Sequence, residues 1–280
     1  MSLSVQTSFA SMVTQNSLST ANDKLTTAME RLSTGYAVNS SADDAAGLSI
    51  ATRMQSQSDG ITVAQDNVED ASSMLSTADG ALESMVDIVG RMKDLATQAA
   101  NDTYSTDDRT AMQSEYDELA EQLTSVMSTT SYGGTDLLSS TGLLGSGSVN
   151  FQVGASTSET LTVNISAALG DITSGITTAS SASLSTSSGA SSAIDALEDL
   201  TSAISTVRSD VGAKINRLDY ISDNLTNMQE NTDTAIGNIM DADYASETSE
   251  MSKQQLLEQA GISVLSAVSD AQSLITNLLQ

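Results

Sequence analysis

Apolar residues recur at alternating spacings of three and four through much of the chain. Ile61, Ala64, Val68, Ala71, Leu75, Ala78, Leu82, Met85, Val89, Met92, Ala96 and Ala99 form one uninterrupted series. This is the a/d seam of a long helix that packs along another helix, and at 1.5 Å per residue it runs roughly 60 Å. Its larger members, Val68, Leu75, Leu82, Met85, Val89 and Met92, form the expected rod seam. Globular helices average about three turns, so the pattern predicts a rod.

Related stripes lie on either side. Leu18, Leu25, Met29 and Leu32 are helically spaced up to Thr34-Gly35, where Gly35 is placed to end a helix. A polar stretch, 39–47, follows; Ser40 or Ser41 is expected to cap the next helix, with Asp43 and Asp44 in its first turn. Beyond Asn101, Ser105 and Asp108 have capping-box spacing ahead of the stripe Met112, Tyr116, Leu119, Leu123 and Val126. Two helices joined by a short loop predict an antiparallel hairpin. From about Thr141 the period falls to two: Val149, Phe151 and Val153, then Leu161, Val163 and Ile165. That alternation predicts a β-hairpin.

Residues 171–192 are rich in Ser, Thr, Gly and Ala and read as a loop, a linker or a weakly ordered projection. Their hydroxyls offer either an O-glycosylation zone, from Thr173 to Ser192, or an unmodified flexible loop. Helical spacing resumes at Ile194 and continues through Leu197, Leu200, Ile204 and Val207 to Ile239. After a polar break at 241–244, Leu257, Ala260, Val264, Val268, Ala271, Ile275 and Leu278 make a last repeat. This apolar stripe calls for a partner: the N-terminal helix, another subunit, or both. The fold class is therefore mostly α: a long helical coiled-coil rod built from both chain ends, with a small β-hairpin in the middle.

Composition narrows the function. The 280 residues include 36 acidic and only 10 basic ones, a formal net charge of −26. Phosphate backbones and anionic membranes both need cations, so the chain is expected to bind no nucleic acid and to insert in no membrane. Aromatics are 3% of residues and Trp is absent, which suits thin helix-on-helix seams. There is no His and no Cys, which removes the usual general base and thiol chemistry. The acidic pairs Asp43-Asp44, Asp107-Asp108 and Asp241-x-Asp243 sit at expected helix starts and lack EF-hand spacing, so they read as caps rather than metal ligands. No catalytic residue, metal or cofactor is expected. The absence of Pro removes slow X-Pro isomerisation from refolding. No signal peptide or membrane span is visible in the sequence.

Two runs carry a family resemblance. Met29 to Gly35, then Asn39-Ser40 and Ala42 to Leu48, resembles the N-terminal signature of bacterial flagellin. Asp241 to Ala245, Glu250 to Ser252, and Gln259 to Leu265 resemble its C-terminal signature, and Phe151 to Ala155 resembles its short β-hairpin segment. The resemblance covers roughly residues 1–165 and 193–280 and implies a short form without the large outer domains. It implies five segments: 1–44 and 240–280 as the two halves of an inner filament-core helical domain, 45–140 and 193–239 as helices of a rod domain, and 141–192 as the hairpin and variable segment. Leu25, Met29, Leu32, Leu257, Val264, Val268, Ile275 and Leu278 would pack the filament core.

The implied function is a structural, non-enzymatic subunit that self-assembles into the flagellar filament for swimming or swarming. The alternative is a flagellin-like hook–filament junction protein; a serine- or metal-dependent hydrolase is remote. Implied partners are further copies of the chain, a cytosolic flagellar export chaperone, the flagellar export apparatus, and hook-associated junction and cap proteins. The implied location is extracellular. In flagellins recognised by Toll-like receptor 5, an Arg and a Leu one turn apart combine with a Glu of the next helix. Arg91, Leu95 and Glu115 match that set; the competing reading makes Arg91 and Glu115 plain surface charges and Leu95 a support for inter-subunit contact. With cations so scarce, Arg31 and Arg53 are expected in inter-helix or inter-subunit bonds.

Overall fold

The structure is a computed structural model, and it describes residues 9–278. Its elements are α1 (Phe9–Thr34), α2 (Ala45–Ala100), α3 (Thr106–Thr129), β1 (Ser131–Tyr132), β2 (Thr135–Asp136), β3 (Val149–Gln152), β4 (Thr160–Val163), α4 (Ser166–Ser180), α5 (Ser187–Met240) and α6 (Tyr244–Leu278). They form two compact units. A terminal unit runs up to Ser58 and resumes at Glu230, and a central unit is Asp59–Gln229. Both boundaries fall inside helices, α2 and α5, rather than at the helix ends marked by the polar breaks.

In the terminal unit α1 and α6 run antiparallel. Arg31 near the end of α1 bonds Glu247 near the start of α6 at 3.0 Å, while Leu18 lies beside Gly261. The α1 contact face is Leu18, Ala21, Leu25, Ala28 and Leu32, a three-four repeat in which Ala21 and Ala28 alternate with leucines. Gly35, at φ 79°, turns the chain out of α1 at no steric cost. Its carbonyl accepts from Ala242 N at 2.9 Å, and Ala37 N donates to Met240 O at 2.6 Å, so a short main-chain ladder ties the segment after α1 to the break between α5 and α6. Tyr244 adds a phenol bond to Leu32 O at 2.7 Å.

The start of α2 is capped by Asp44, not by Ser40 or Ser41. Its Oδ1 accepts from Ala46 N and Gly47 N, both at 3.0 Å. Asp43 instead accepts from Ser40 Oγ and from the main chain of Ser40 and Asn39, and those bonds hold its carboxyl below the usual carboxylate range.

In the central unit the seam of α2 is buried along its whole length, with Val68, Leu75, Leu82, Met85, Val89 and Met92 all in the core. Its partner is α5, which runs antiparallel. Arg208 bonds Asp79 at 2.9 Å and Lys93 bonds Glu198 at 2.8 Å across the pair. Helix α3 opens with the capping box of Ser105 and Asp108 and buries Tyr116, Ala120, Leu123 and Met127. The hairpin of β3 and β4 pairs Val149 with Val163 and Phe151 with Leu161, and Leu161 and Val163 enter the core. A second, two-residue hairpin of β1 and β2 escaped the sequence pattern. It turns on Gly133 and Gly134, at φ 57° and 82°, the left-handed pair such a tight turn requires.

The Ser/Thr-rich stretch departs from expectation. Helix α4 occupies Ser166–Ser180 and buries Leu169, Ile172, Ile176 and Ala179 against the core. Its polar residues do not open the chain because their hydroxyls bond back into the helix: Thr173 to Leu169 O, Thr177 to Thr173 O and Thr178 to Ser174 O, each at 2.9 Å. Tyr116 of α3 bonds Ala179 O at 3.0 Å, tying α4 into the unit. Leu184, in the following connection, is fully buried as well.

Candidate assembly surface

The candidate site is a surface rather than a cleft with reactive groups. In the terminal unit, Phe9, Met12 and Val13 of α1 and Leu256, Leu257, Ile262 and Val264 of α6 are exposed. Beside them the two helices leave a shallow groove of about 460 Å³ lined by Val13, Leu18, Lys24, Lys253, Leu257 and Val264, among others.

The expected filament-core residues divide on this geometry. Leu25 is buried between α1 and α6, and Leu32 and Val268 are half-buried. Met29, Leu257 and Val264 are 45%, 49% and 50% exposed, so they do not pack within the subunit. Ile275 and Leu278 have side chains outside the described residues. The face of α6 that meets α1 passes through Gln254, Gly261, Leu265 and Val268; it lies one residue beyond the predicted Ala260 and Val264 and coincides with the predicted stripe only at Val268. Gln254 is buried there and satisfied by Glu250, whose carboxyl is held below its ordinary range by that amide and then by Lys253.

The charged residues also divide. Arg31 makes the expected inter-helix bond to Glu247. Arg53 is exposed and has no ion-pair partner among the described residues. Arg91 grips Glu115 through Nε at 2.9 Å and Nη2 at 2.6 Å, joining α2 to α3 on the surface of the central unit. Leu95, only 2% exposed, lies in the core beneath that pair and is not presented with it. Among the described residues no group of three or more His, Cys, Asp or Glu is placed to hold a metal ion. No described helix is long and apolar enough to cross a membrane.

Comparison with known proteins identifies the family. The family profile for the bacterial flagellin N-terminal helical region matches residues 5–142, and that for the bacterial flagellin C-terminal helical region matches residues 194–279. A flagellin of Listeria monocytogenes is 35% identical over 285 aligned residues, covering 99% of both chains. Polar flagellin C of Vibrio parahaemolyticus is 29% identical with both chains fully covered, in an alignment of 388 positions, so it carries residues this 280-residue chain lacks. The crystal structure of Bacillus cereus flagellin superposes with a TM-score of 0.51 at 30% identity, over 57% of this chain and 88% of that one. The structure of a hook-associated protein from Vibrio parahaemolyticus shares the fold alone, with a TM-score of 0.57 at 17% identity. Two helical end regions, a buried seam between them, an apolar flank left open and full-length likeness to flagellins lead to one conclusion: this chain belongs to the bacterial flagellin family, whose members are structural subunits of the flagellar filament.

Proposed function

We propose that the open flank of α1 and α6 is the surface through which copies of this chain join into the filament core. The observation that carries the reading is the run of exposed Leu256, Leu257, Ile262 and Val264 on one helix. Large apolar side chains exposed at this density on a subunit mark a contact surface. The hook–filament junction reading has less support, because the similar hook-associated structure shares only the fold.

The same strip explains the further partners. A chain bound for an extracellular filament needs those apolar positions shielded in the cytosol, which is the task of an export chaperone, before passage through the flagellar export apparatus. Hook-associated junction and cap proteins would bound the filament at its two ends. Recognition by Toll-like receptor 5 would rest on the Arg91–Glu115 pair, with Leu95 acting only as packing beneath it. Arg91→Ala in a receptor-reporter assay should cut signalling, and an unchanged response would remove that role.

Seeded growth tests the main reading. Purified subunit added to sheared filament fragments should elongate them into long filaments visible by electron microscopy. Leu257→Asp together with Val264→Asp should stop elongation while the helical signal of the subunit stays intact. Unimpaired growth of that variant would refute the assignment of this flank.

A further inference from the structure

The cations of the central unit are few and mostly spent. Between residues 59 and 229 the only Lys and Arg are Arg91, Lys93, Arg109, Arg208, Lys214 and Arg217. The first four hold carboxylates of the same chain. Lys214 and Arg217 have no ion pair among the described residues; the nearest recorded acceptor to Lys214 is the Thr162 carbonyl at 3.5 Å. The two lie three residues apart on one side of α5, followed by Tyr220, which is 77% exposed. One acid, Asp210, stands a turn before Lys214 on that side.

Such a pair is conspicuous on a chain of net charge −26. On the outer face of α3, Glu118 and Glu121 are exposed, make no ion pair among the described residues, and are also three residues apart. The equal interval lets two crossing helices bring both opposite-charge pairs into register. Among the described residues these groups form no ion pair, so a second copy is the occupant that charge complementarity selects.

Resting on the filament reading above, we propose that Lys214 and Arg217 of one subunit pair with Glu118 and Glu121 of a neighbouring copy. The exposed ring of Tyr220 flanks the contact and shields it from water. The pairing gives an acidic polymer a directional attraction that mere screening of repulsion does not supply.

Elongation of seeds at low salt tests it, with subunit folding monitored by far-UV circular dichroism. If the wild-type chain fails to elongate, the filament reading fails and takes this pairing with it. If the wild type elongates, Arg217→Glu with Lys214→Glu should slow growth at least about tenfold. Glu118→Lys with Glu121→Lys should slow growth too, although it makes the subunit less acidic; general repulsion predicts the reverse. All four substitutions in one chain restore both complementarity and net charge and should recover most of the rate. Growth of the Glu118→Lys, Glu121→Lys variant at or above the wild-type rate overturns the pairing, as does a four-fold variant no faster than the two-fold ones. Should the glutamate variants melt early, Arg217→Gln supplies the same comparison with a smaller loss of rate.

Discussion

The two units solve the same packing problem to different degrees. The central unit wraps its α2 seam on every side, with α5, α3, α4 and the β3–β4 hairpin all contributing fully buried side chains. The terminal unit has mainly one helix against another, with Ala21, Leu25 and Ala28 buried on α1 and a broad apolar flank left in water. A helix pair has one seam, and the remaining apolar face must find another molecule or stay exposed. One unit therefore closes its apolar surface within the subunit, and the other is the one that the proposed assembly would complete.

The sharpest way to break that contrast is to put the same charge on each surface. Leu82→Asp would bury an unpaired carboxylate in the central core and should cost several kcal/mol, roughly 4 or more, unfolding that unit. Leu257→Asp, on the open flank, should change subunit stability by no more than about 0.5 kcal/mol. Urea melts followed by circular dichroism compare the two. Equal losses would show that the flank is not open in the subunit.

A smaller effect sharpens the limits of the central core. Ile172→Ala removes a fully buried side chain from α4 and should destabilise the central unit by about 2–5 kcal/mol. Replacing 171–192 with a flexible Gly/Ser linker should be at least as damaging, since it deletes Ile172, Ile176 and Leu184 together. A neutral result would return this stretch to the status of a surface loop.

Alkaline titration separates the units without mutation. Burial pushes the Tyr116 phenol up from 10.0 to about 12, and neighbouring Asp117 adds to the shift. Its pKa is higher folded than unfolded, so the unfolded chain loses the proton first as pH rises. The stabilisation is fully present below pH 10 and is lost as pH climbs through about 12, a difference of roughly 3 kcal/mol. Tyr116→Phe should remove this component and leave a flatter alkaline limb in the stability curve. A limb of unchanged steepness would show that other groups dominate it.

The smallest effect expected lies at a helix end. Ser105→Ala breaks the capping box of α3 and should cost about 1 kcal/mol. Because Asp108 is held below its usual pKa by the Ser105 hydroxyl, the box is intact above the usual carboxylate range and is lost as pH falls through the depressed value. The variant should therefore show a shallower acid dependence, measured as thermal midpoint against pH.

The seam from Ile61 to Ala99 was legible because the three-four positions stay apolar without a break over many turns, so period and phase are both determined. The β3–β4 hairpin was legible for the same reason at period two. Helix α4 was not, although Leu169, Ile172, Ile176 and Ala179 do follow helical spacing. The stripe is only four residues long, and the surrounding hydroxyls resemble a loop until their bonds to the preceding turn are seen. On α6 the period was legible but the phase was not. With Leu256, Leu257, Ile262, Val264, Leu265 and Val268 spread over more than one side, the sequence alone does not distinguish the face that meets α1 from the face left exposed. Leu95 shows a further limit: the family resemblance grouped it with Arg91 as a presented pair, but Leu95 is buried in the core with Met92, Ala96 and Ala99.

The buried Tyr116 also makes this protein its own optical gauge. The chain has six Tyr, two Phe and no Trp, so near-ultraviolet absorbance reports almost entirely on phenols. Tyr116, wholly enclosed and bonded to the Ala179 carbonyl, sits in the central unit. The terminal unit offers Tyr36 and Tyr244, both already in contact with water. Loss of the central core will therefore shift the tyrosine spectrum sharply, whereas separation of α1 from α6 will pass almost unseen and register only in the helical amide bands. Recording both wavelengths in one thermal ramp yields two melting curves from a single unlabelled sample, one of the central unit and one of both units together, and their difference is the terminal unit.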